Sequence, residues 1–404
     1  MTLALRFPSF TFWHRWRQAR ADARRVARPQ AGIDLWLLWS AVALICTGLV
    51  MVYSASIAVA EGSRAYGNQP AYFLIRHAFY LGIALFIAAF AFRVPMARWQ
   101  KAAPWLFLFG CFLLLIVLFP GIGREVGGSR RWLPLGFANL QPSELMKLFA
   151  ILYAADYTSR KLHLMHDLKK AFLPMAAAMA LVGSLLILEP DYGAFVVIVA
   201  IAMGILFLGG LKTKLFAVLS LILMGAFTLL IFVSPYRRAR LFAFMDPWDD
   251  PFGKGYQLTH ALIAFGRGEW FGVGLGASIE KLFYLPEAHT DFLLAIIAEE
   301  LGFAGVLTNV VLFGILIFRT FALARQCVVL ERLYAALVAY GIGIWFAVQG
   351  FINMGVNMGL VPTKGLTLPL MSYGGSGLVV NCVALAVLLR IDWENRQPTR
   401  RVAA

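Results

Sequence analysis

The chain is 404 residues long, 61% hydrophobic and only 14% charged. Soluble globular proteins carry about a quarter charged residues, and the turn signals that a soluble α/β enzyme needs every few elements are absent. The formal charge of +15 at first suggests a nucleic-acid binder, but its placement excludes that class.

The first 33 residues carry seven Arg, without the short apolar core and small-residue cleavage site of a secretory leader, so no cleavable signal peptide is expected. Ten nearly uncharged stretches follow, near 35–60, 71–92, 102–120, 143–157, 172–188, 193–210, 215–233, 290–318, 334–357 and 374–390. Most are long enough to cross a bilayer, which takes roughly 18 or more apolar residues. The fourth is short and only moderately apolar, which predicts a tilted helix or one partly buried in protein. The expected fold is all-α and polytopic, with about ten spans and both termini cytoplasmic. It divides into a basic N-terminal segment (1–33), one transmembrane domain (34–392) and a cytoplasmic tail (393–404).

The basic segment, alternate short breaks and the tail together hold 23 of the 36 Lys and Arg against six acidic residues, a balance of +17. The rest of the chain carries 13 basic and 15 acidic groups, or −2. A positive excess confined to alternate loops is the positive-inside signature. Its partner is anionic membrane lipid, and no nucleic acid is implied.

Three breaks face outward in this topology: 121–142, the long loop 234–289, and 358–373. The long loop holds the turn-rich run from Asp246 to Gly253, then apolar residues at helical spacing around Leu258, Leu262 and Phe265. That pattern predicts short amphipathic helices at the interface. No internal repeat is visible, which counts against an inverted-repeat transporter. The four cysteines, Cys46, Cys111, Cys327 and Cys382, form no outward pair, so neither a disulfide framework nor a Cys metal motif is expected.

The run Pro286-Glu287-Ala288-His289-Thr290-Asp291 sits at the mouth of the eighth span. Ionisable groups at membrane depth are costly and usually functional. Thr290 is placed to cap the helix through its hydroxyl, with Asp291 in the first turn. There the helix dipole favours the carboxylate while burial opposes it. Such a group suits a general base for a hydroxyl; the plainer reading is an Asp that supports a helix N-terminus. Glu287 and His289 lie near enough in sequence to share the site.

In Gln141-Pro142-Ser143-Glu144-Leu145-Met146-Lys147, proline suits a first helical turn, and Glu144 and Lys147 share one face. They are cavity residues or a structural ion pair. Arg130 and Arg131 are suited either to bidentate phosphate binding or to lipid headgroups. Lys364 lies on the outer side, against the charge bias, and the Gly-rich run containing Ser376 follows it. Backbone amides in such a loop can form an anion nest, or simply turn the chain. Glu299 and Glu300 lie inside the eighth span on different faces, so one of the two is expected to pair with a buried cation or to be protonated. No nucleotide-binding loop, His-Glu-x-x-His or Gly-x-Ser-x-Gly motif is present.

Together these motifs resemble the SEDS family (shape, elongation, division and sporulation proteins), over about residues 34–395. The resemblance rests on Gly128-Ser129-Arg130-Arg131-Trp132, Gln141-Pro142-Ser143-Glu144, Glu189-Pro190-Asp191 and Pro247-Trp248 with Asp250-Pro251-Phe252-Gly253. It continues in Gly255-Tyr256-Gln257, the 286–292 run, and Pro362-Thr363-Lys364-Gly365-Leu366-Thr367-Leu368-Pro369. The last block is that of the cell-division members. Tyr192, Ala194 and Gly377 depart from the family pattern without touching the proposed site.

The resemblance implies a ten-span peptidoglycan glycosyltransferase of the cytoplasmic (inner) membrane that polymerises lipid II at the division septum. It implies a class B penicillin-binding transpeptidase and other division membrane proteins as partners. The family's essential Asp falls on Asp291, and its cavity residues on Glu144, Lys147, Glu287 and Lys364. Asp291 is then the proton acceptor. The leaving diphosphate falls to Arg130, Arg131, Lys147 or Lys364, or to a divalent cation (Mg or Mn) held by carboxylates. The alternatives are a lipid II flippase and a non-catalytic scaffold of the division machinery.

Overall fold

The computed structural model describes residues 32–126, 128–136, 139–164, 172–363 and 365–397. They form twelve α-helices and a small three-stranded sheet. In chain order the helices are α1 (Leu35–Gly62), α2 (Tyr72–Arg93), α3 (Met96–Val117), α4 (Pro142–Arg160), α5 (Leu173–Leu188) and α6 (Tyr192–Leu208), then α7 (Thr213–Val233), α8 (Pro235–Met245), α9 (Tyr256–Gly268), α10 (Leu293–Val329), α11 (Leu333–Asn357) and α12 (Gly375–Arg396). Among the described residues six helices, α1, α2, α3, α10, α11 and α12, are long and apolar enough to cross a membrane. Each of the ten stretches expected from hydropathy overlaps one helix. The basic residues of 1–31, Lys169, Lys170, Arg400, Arg401 and Lys364 lie outside the described residues.

Local chemistry sets the helix ends. Asp34 caps α1, its Oδ1 accepting the amides of Trp36 (3.1 Å) and Leu37 (3.2 Å). The Asp34 amide donates to Asp392 on α12 at 2.7 Å, and Arg319 of α10 binds the Asp34 carboxylate. Both ends of the described chain therefore meet on one side of the bundle. Pro142 opens α4, whose residues from Pro142 to Thr158 are nearly all buried. Packing of α4 against α3, α6 and α11 explains its weak hydropathy: its neighbours are protein, so its surface need not match lipid.

Two loops are more ordered than their sequence suggests. The 121–142 loop folds as β1 (Arg124–Val126), β2 (Ser129–Pro134) and β3 (Asn139–Leu140), antiparallel, with Arg124 opposite Trp132 and Leu133 opposite Leu140. The fold is all-α as expected, with this small loop sheet added; strands this short leave no readable alternation. In the long loop α9 buries Leu258, Ala261 and Ala264, so its apolar face rests on α10 and α11 rather than on a membrane surface.

Helix α10 is broken at Gly302 (φ 66°, ψ −166°). Loop 269–274 inserts its backbone at the break: Phe303 N donates to Glu269 O (2.8 Å), Ala304 N to Trp270 O (3.0 Å), Val273 N to Glu299 O (2.9 Å) and Gly274 N to Glu300 O (3.1 Å). The groups orphaned by the break are thus paired, as buried backbone requires.

Candidate active site

Asp291 stands between a tight turn and a helix. Glu287 adopts left-handed backbone geometry (φ 55°), and its carbonyl accepts the amides of Thr290 (3.1 Å), Asp291 (3.1 Å) and Phe292 (3.2 Å). The Thr290 hydroxyl donates to Glu287 O at 3.1 Å and Oε2 at 2.6 Å. It does not cap the helix: α10 opens at Leu293, and Asp291 precedes the first turn. The reason is local, since Glu287 offers that hydroxyl two acceptors.

The cap comes from another helix. Asn357 Oδ1 accepts the Ala295 amide at 3.1 Å, and its Nδ2 donates to Asp291 O at 2.9 Å. Asn353 Nδ2 donates to Asp291 O at 2.8 Å and to Leu366 O at 2.6 Å. The backbone of Asp291 is fixed, while its half-buried carboxylate binds no donor among the described residues. A Cβ on Gly365 would lie 3.0 Å from Asp291 Oδ2, so the backbone at Gly365 passes directly over that carboxylate.

Burial pushes the Asp291 carboxyl up to about 7. The Glu287 charge adds to the rise, Arg131 opposes it, and Asp191 adds a smaller push. Near neutral pH the group is divided between acid and base forms.

Two sequence motifs meet beside it. Asp191 caps α6 and accepts Ser143 Oγ at 2.7 Å and Gln141 Nε2 at 3.1 Å. Arg131, on β2, donates to Glu189 O (3.2 Å) and Pro190 O (2.5 Å). The Glu189 side chain is 0% exposed, and neither carboxyl oxygen has a hydrogen-bond partner. Burial, reinforced by Asp191, pushes it up to about 9, against the pull of Arg131, so it is neutral at pH 7.

The other candidates are placed as follows. Lys147 is 0% exposed; its ammonium binds Glu144 Oε1 and Gln349 Oε1, both at 2.7 Å, and lies 5.2 Å from the Trp345 ring. Glu144 keeps one oxygen without a partner. Arg130 points away and pairs with Glu125 at 3.2 Å on the exposed face of the sheet. Ser376 Oγ accepts the Gln141 amide and donates to Asn139 O, both at 2.9 Å, tying α12 to the start of α4. The His289 ring lies 4.6 Å from Phe73 and 5.5 Å from Tyr373, its Nδ1 unpartnered, and burial lowers its pKa. Arg131, Glu287 and Asp291 thus share one electrostatic neighbourhood, whereas Lys147 is sealed and Arg130 is turned outward.

Glu299 and Glu300 both have cationic partners, where one pairing was expected. Glu299 pairs with Arg267 (2.9 Å) and also binds Ser278 and the Ile279 amide. Glu300 pairs with Lys281 and accepts Ser54 Oγ, both at 2.7 Å. Arg267 comes from the last turn of α9, Ser54 from α1, and Ser278, Ile279 and Lys281 from loop 269–285, partners that a linear reading could not bring to the helix. Sequence reasoning also missed Asn353, Asn357, Gln349 and Trp345. The only available sign was polar or aromatic residues recurring every four positions along an apolar span.

The fold is that of a polytopic membrane protein, with Arg131, Glu287 and Asp291 gathered at one end of its helical bundle. The chain belongs to the family described as "Cell cycle protein" (FtsW/RodA/SpoVE), whose model matches residues 35–397. It is 65% identical over 383 residues to the "Probable peptidoglycan glycosyltransferase FtsW" of Aromatoleum aromaticum, covering 94% of this chain and 93% of the relative. To the protein of the same description from Burkholderia thailandensis it is 57% identical, covering 93% and 81%. Among solved structures it resembles a chain described under "Structural coordination of polymerization and crosslinking by a peptidoglycan synthase complex", with TM-score 0.72 and 29% identity over 91% of this chain and all of that one. It also resembles the Thermus thermophilus rod shape determining protein RodA, with TM-score 0.66 and 28% identity over 92% and 100%.

Proposed function

We propose that the protein is a peptidoglycan glycosyltransferase that polymerises lipid II at the outer face of the cytoplasmic membrane during septal wall synthesis. It does so on a ten-span fold with cytoplasmic termini, beside a class B penicillin-binding transpeptidase. The observation that carries the reading is Asp291: its backbone is clamped, its carboxylate has no donor among the described residues, and burial raises its pKa to about 7. The relatives' descriptions support the activity, and the polymerization and crosslinking complex supports the partner.

In the reaction a sugar 4-hydroxyl of one lipid-linked substrate attacks the anomeric carbon of another. The new C–O bond forms as the C–O bond to diphosphate breaks, and polyprenyl diphosphate leaves with the bonding electrons. Asp291 takes the hydroxyl proton. Arg131 is the cation beside it that can meet the developing negative charge. Single displacement inverts the anomeric centre. Holding both lipids in one groove supplies proximity. Among the described residues no three His, Cys, Asp or Glu side chains gather to hold a metal.

Transport would need ionisable groups through the membrane depth. Glu299 and Glu300, the residues that favoured it, are tied into ion pairs with Arg267 and Lys281. The test is polymer formation from purified lipid II by Asp291→Asn in complex with the transpeptidase. No glycan is expected from a folded variant; wild-type yield overturns the assignment.

A further inference from the structure

Arg76 lies one turn into α2, at the same end of the bundle as Asp291. Its guanidinium is half-buried against tyrosine rings, 5.4 Å from the centroid of Tyr72 and 6.0 Å from that of Tyr80. Its Nη1 donates to the Tyr72 hydroxyl at 2.6 Å, and no carboxylate among the described residues pairs with it. Three half-buried arginines at the opposite end differ: Arg319 has Asp34, Arg332 has Glu394 and Arg396 has Asp392. Ring faces hold a cation but leave most of the guanidinium's donors open. A cation in a membrane span without a counter-anion is costly unless a ligand supplies one.

Two neighbouring features point the same way. His77 is 1% exposed, its Nδ1 has no partner, and its ring lies 5.8 Å from Tyr373. Tyr373 leads into α12, whose N-terminus has no side-chain cap and whose first residue, Gly375, lies against Tyr80 (a Cβ there would be 3.3 Å from the ring). Uncapped first-turn amides and the positive end of a helix therefore share the aromatic wall with Arg76.

We infer that Arg76, the Tyr72 hydroxyl and the amino-terminal turn of α12 form a second anion site, apart from the acid–base centre, for the phosphate or diphosphate of a membrane lipid. A run of ring contacts, Tyr72 to Phe73 to His289, connects it to the residue two before Asp291. This separation suits the reaction, because the acceptor's attacking hydroxyl is a full disaccharide away from its own diphosphate. The leaving diphosphate is met beside Asp291, and the acceptor's is held at Arg76. The assignment to the acceptor rests on the function proposed above; the anion site does not.

The test titrates radiolabelled farnesyl diphosphate against the full-length protein in phosphatidylcholine nanodiscs, with and without phosphatidylglycerol. Losing a charge-assisted contact costs about 1.5–3 kcal/mol, so Arg76→Gln is expected to weaken binding at least about tenfold. Arg76→Lys and Tyr72→Phe are expected to weaken it less, and Arg130→Gln, on the exposed face of the sheet and paired with Glu125, to leave it unchanged. Wild-type affinity in Arg76→Gln overturns the site; if that variant does not fold, wild-type affinity in both Arg76→Lys and Tyr72→Phe overturns it. Abolition of binding by phosphatidylglycerol assigns the site to bilayer headgroups and overturns its acceptor role. Because binding is read without polymerisation, failure of the proposed chemistry at Asp291 leaves this result standing.

Discussion

Asn357 holds Asp291 by its backbone, Nδ2 to carbonyl oxygen at 2.9 Å, across 66 residues of sequence. The same amide caps Ala295, so one side chain sets both the start of α10 and the carbonyl behind the carboxylate. Asn357→Leu removes both of these bonds, each worth about 0.5–1.5 kcal/mol, while Asp291 O keeps Asn353 Nδ2 and the Ala295 amide keeps Phe292 O. We expect kcat for polymerisation to fall about tenfold or more with KM nearly unchanged, since no substrate contact is lost. Steady-state rates on lipid II check this; a pure KM effect contradicts it.

With Asp291 as the proposed base, its acidity sets the expected pH dependence. Its pKa is raised to about 7, so the base form is complete only above that value and is lost as pH falls through it. Initial rates should fall about tenfold per pH unit on the acid side. Glu287 raises the pKa and Arg131 lowers it. Glu287→Gln should therefore move the acid limb to lower pH and Arg131→Gln to higher pH, and opposite shifts refute the assignment.

Lys147 is sealed between Glu144, Gln349 and Trp345. Lys147→Met leaves Glu144 as an uncompensated buried charge, a loss of about 3–5 kcal/mol where a buried pair is broken on one side. Thermal unfolding in detergent should show a marked drop for that variant. Adding Glu144→Gln should restore most of it, because the double change removes both charges.

Hydropathy made the helical stretches legible because lipid demands long apolar runs whatever the detailed packing. Glu287, His289 and Asp291 were legible because adjacency in sequence brings them together. Asn353 and Asn357 were not, because a polar residue in an apolar span does not name the helix it faces. Arg76 was hidden for a related reason: a lone arginine in the first turn of a span looks like an interfacial anchor until its missing counter-ion is seen. The pairing of Glu299 and Glu300 depends on Arg267, Ser278 and Lys281, whose positions follow from the inserted loop and not from any local pattern.

Gly302 has no room for a side chain: a Cβ there would lie 2.4 Å from Gly272 N and 2.5 Å from Phe271 N, at a φ of 66° that disfavours other residues. Gly302→Ala should destabilise the loop by about 1–3 kcal/mol from backbone strain alone. Hydrogen exchange should then quicken at Val273, Gly274, Phe303 and Ala304, whose amides bridge the break. Unchanged protection at those four amides refutes this account of the interruption.

That interruption also gives Asp291 a mechanical neighbour. Between residue 291 and the break lies the short helical piece Leu293–Leu301, roughly 13 Å long at 1.5 Å per residue. Its far end is bolted through Glu299 and Glu300 to Arg267 and Lys281. A rod so short scarcely flexes, so the position of Asp291 is coupled to that of Arg267 and Lys281. The seam at Gly302 separates the remainder of the span from that coupling.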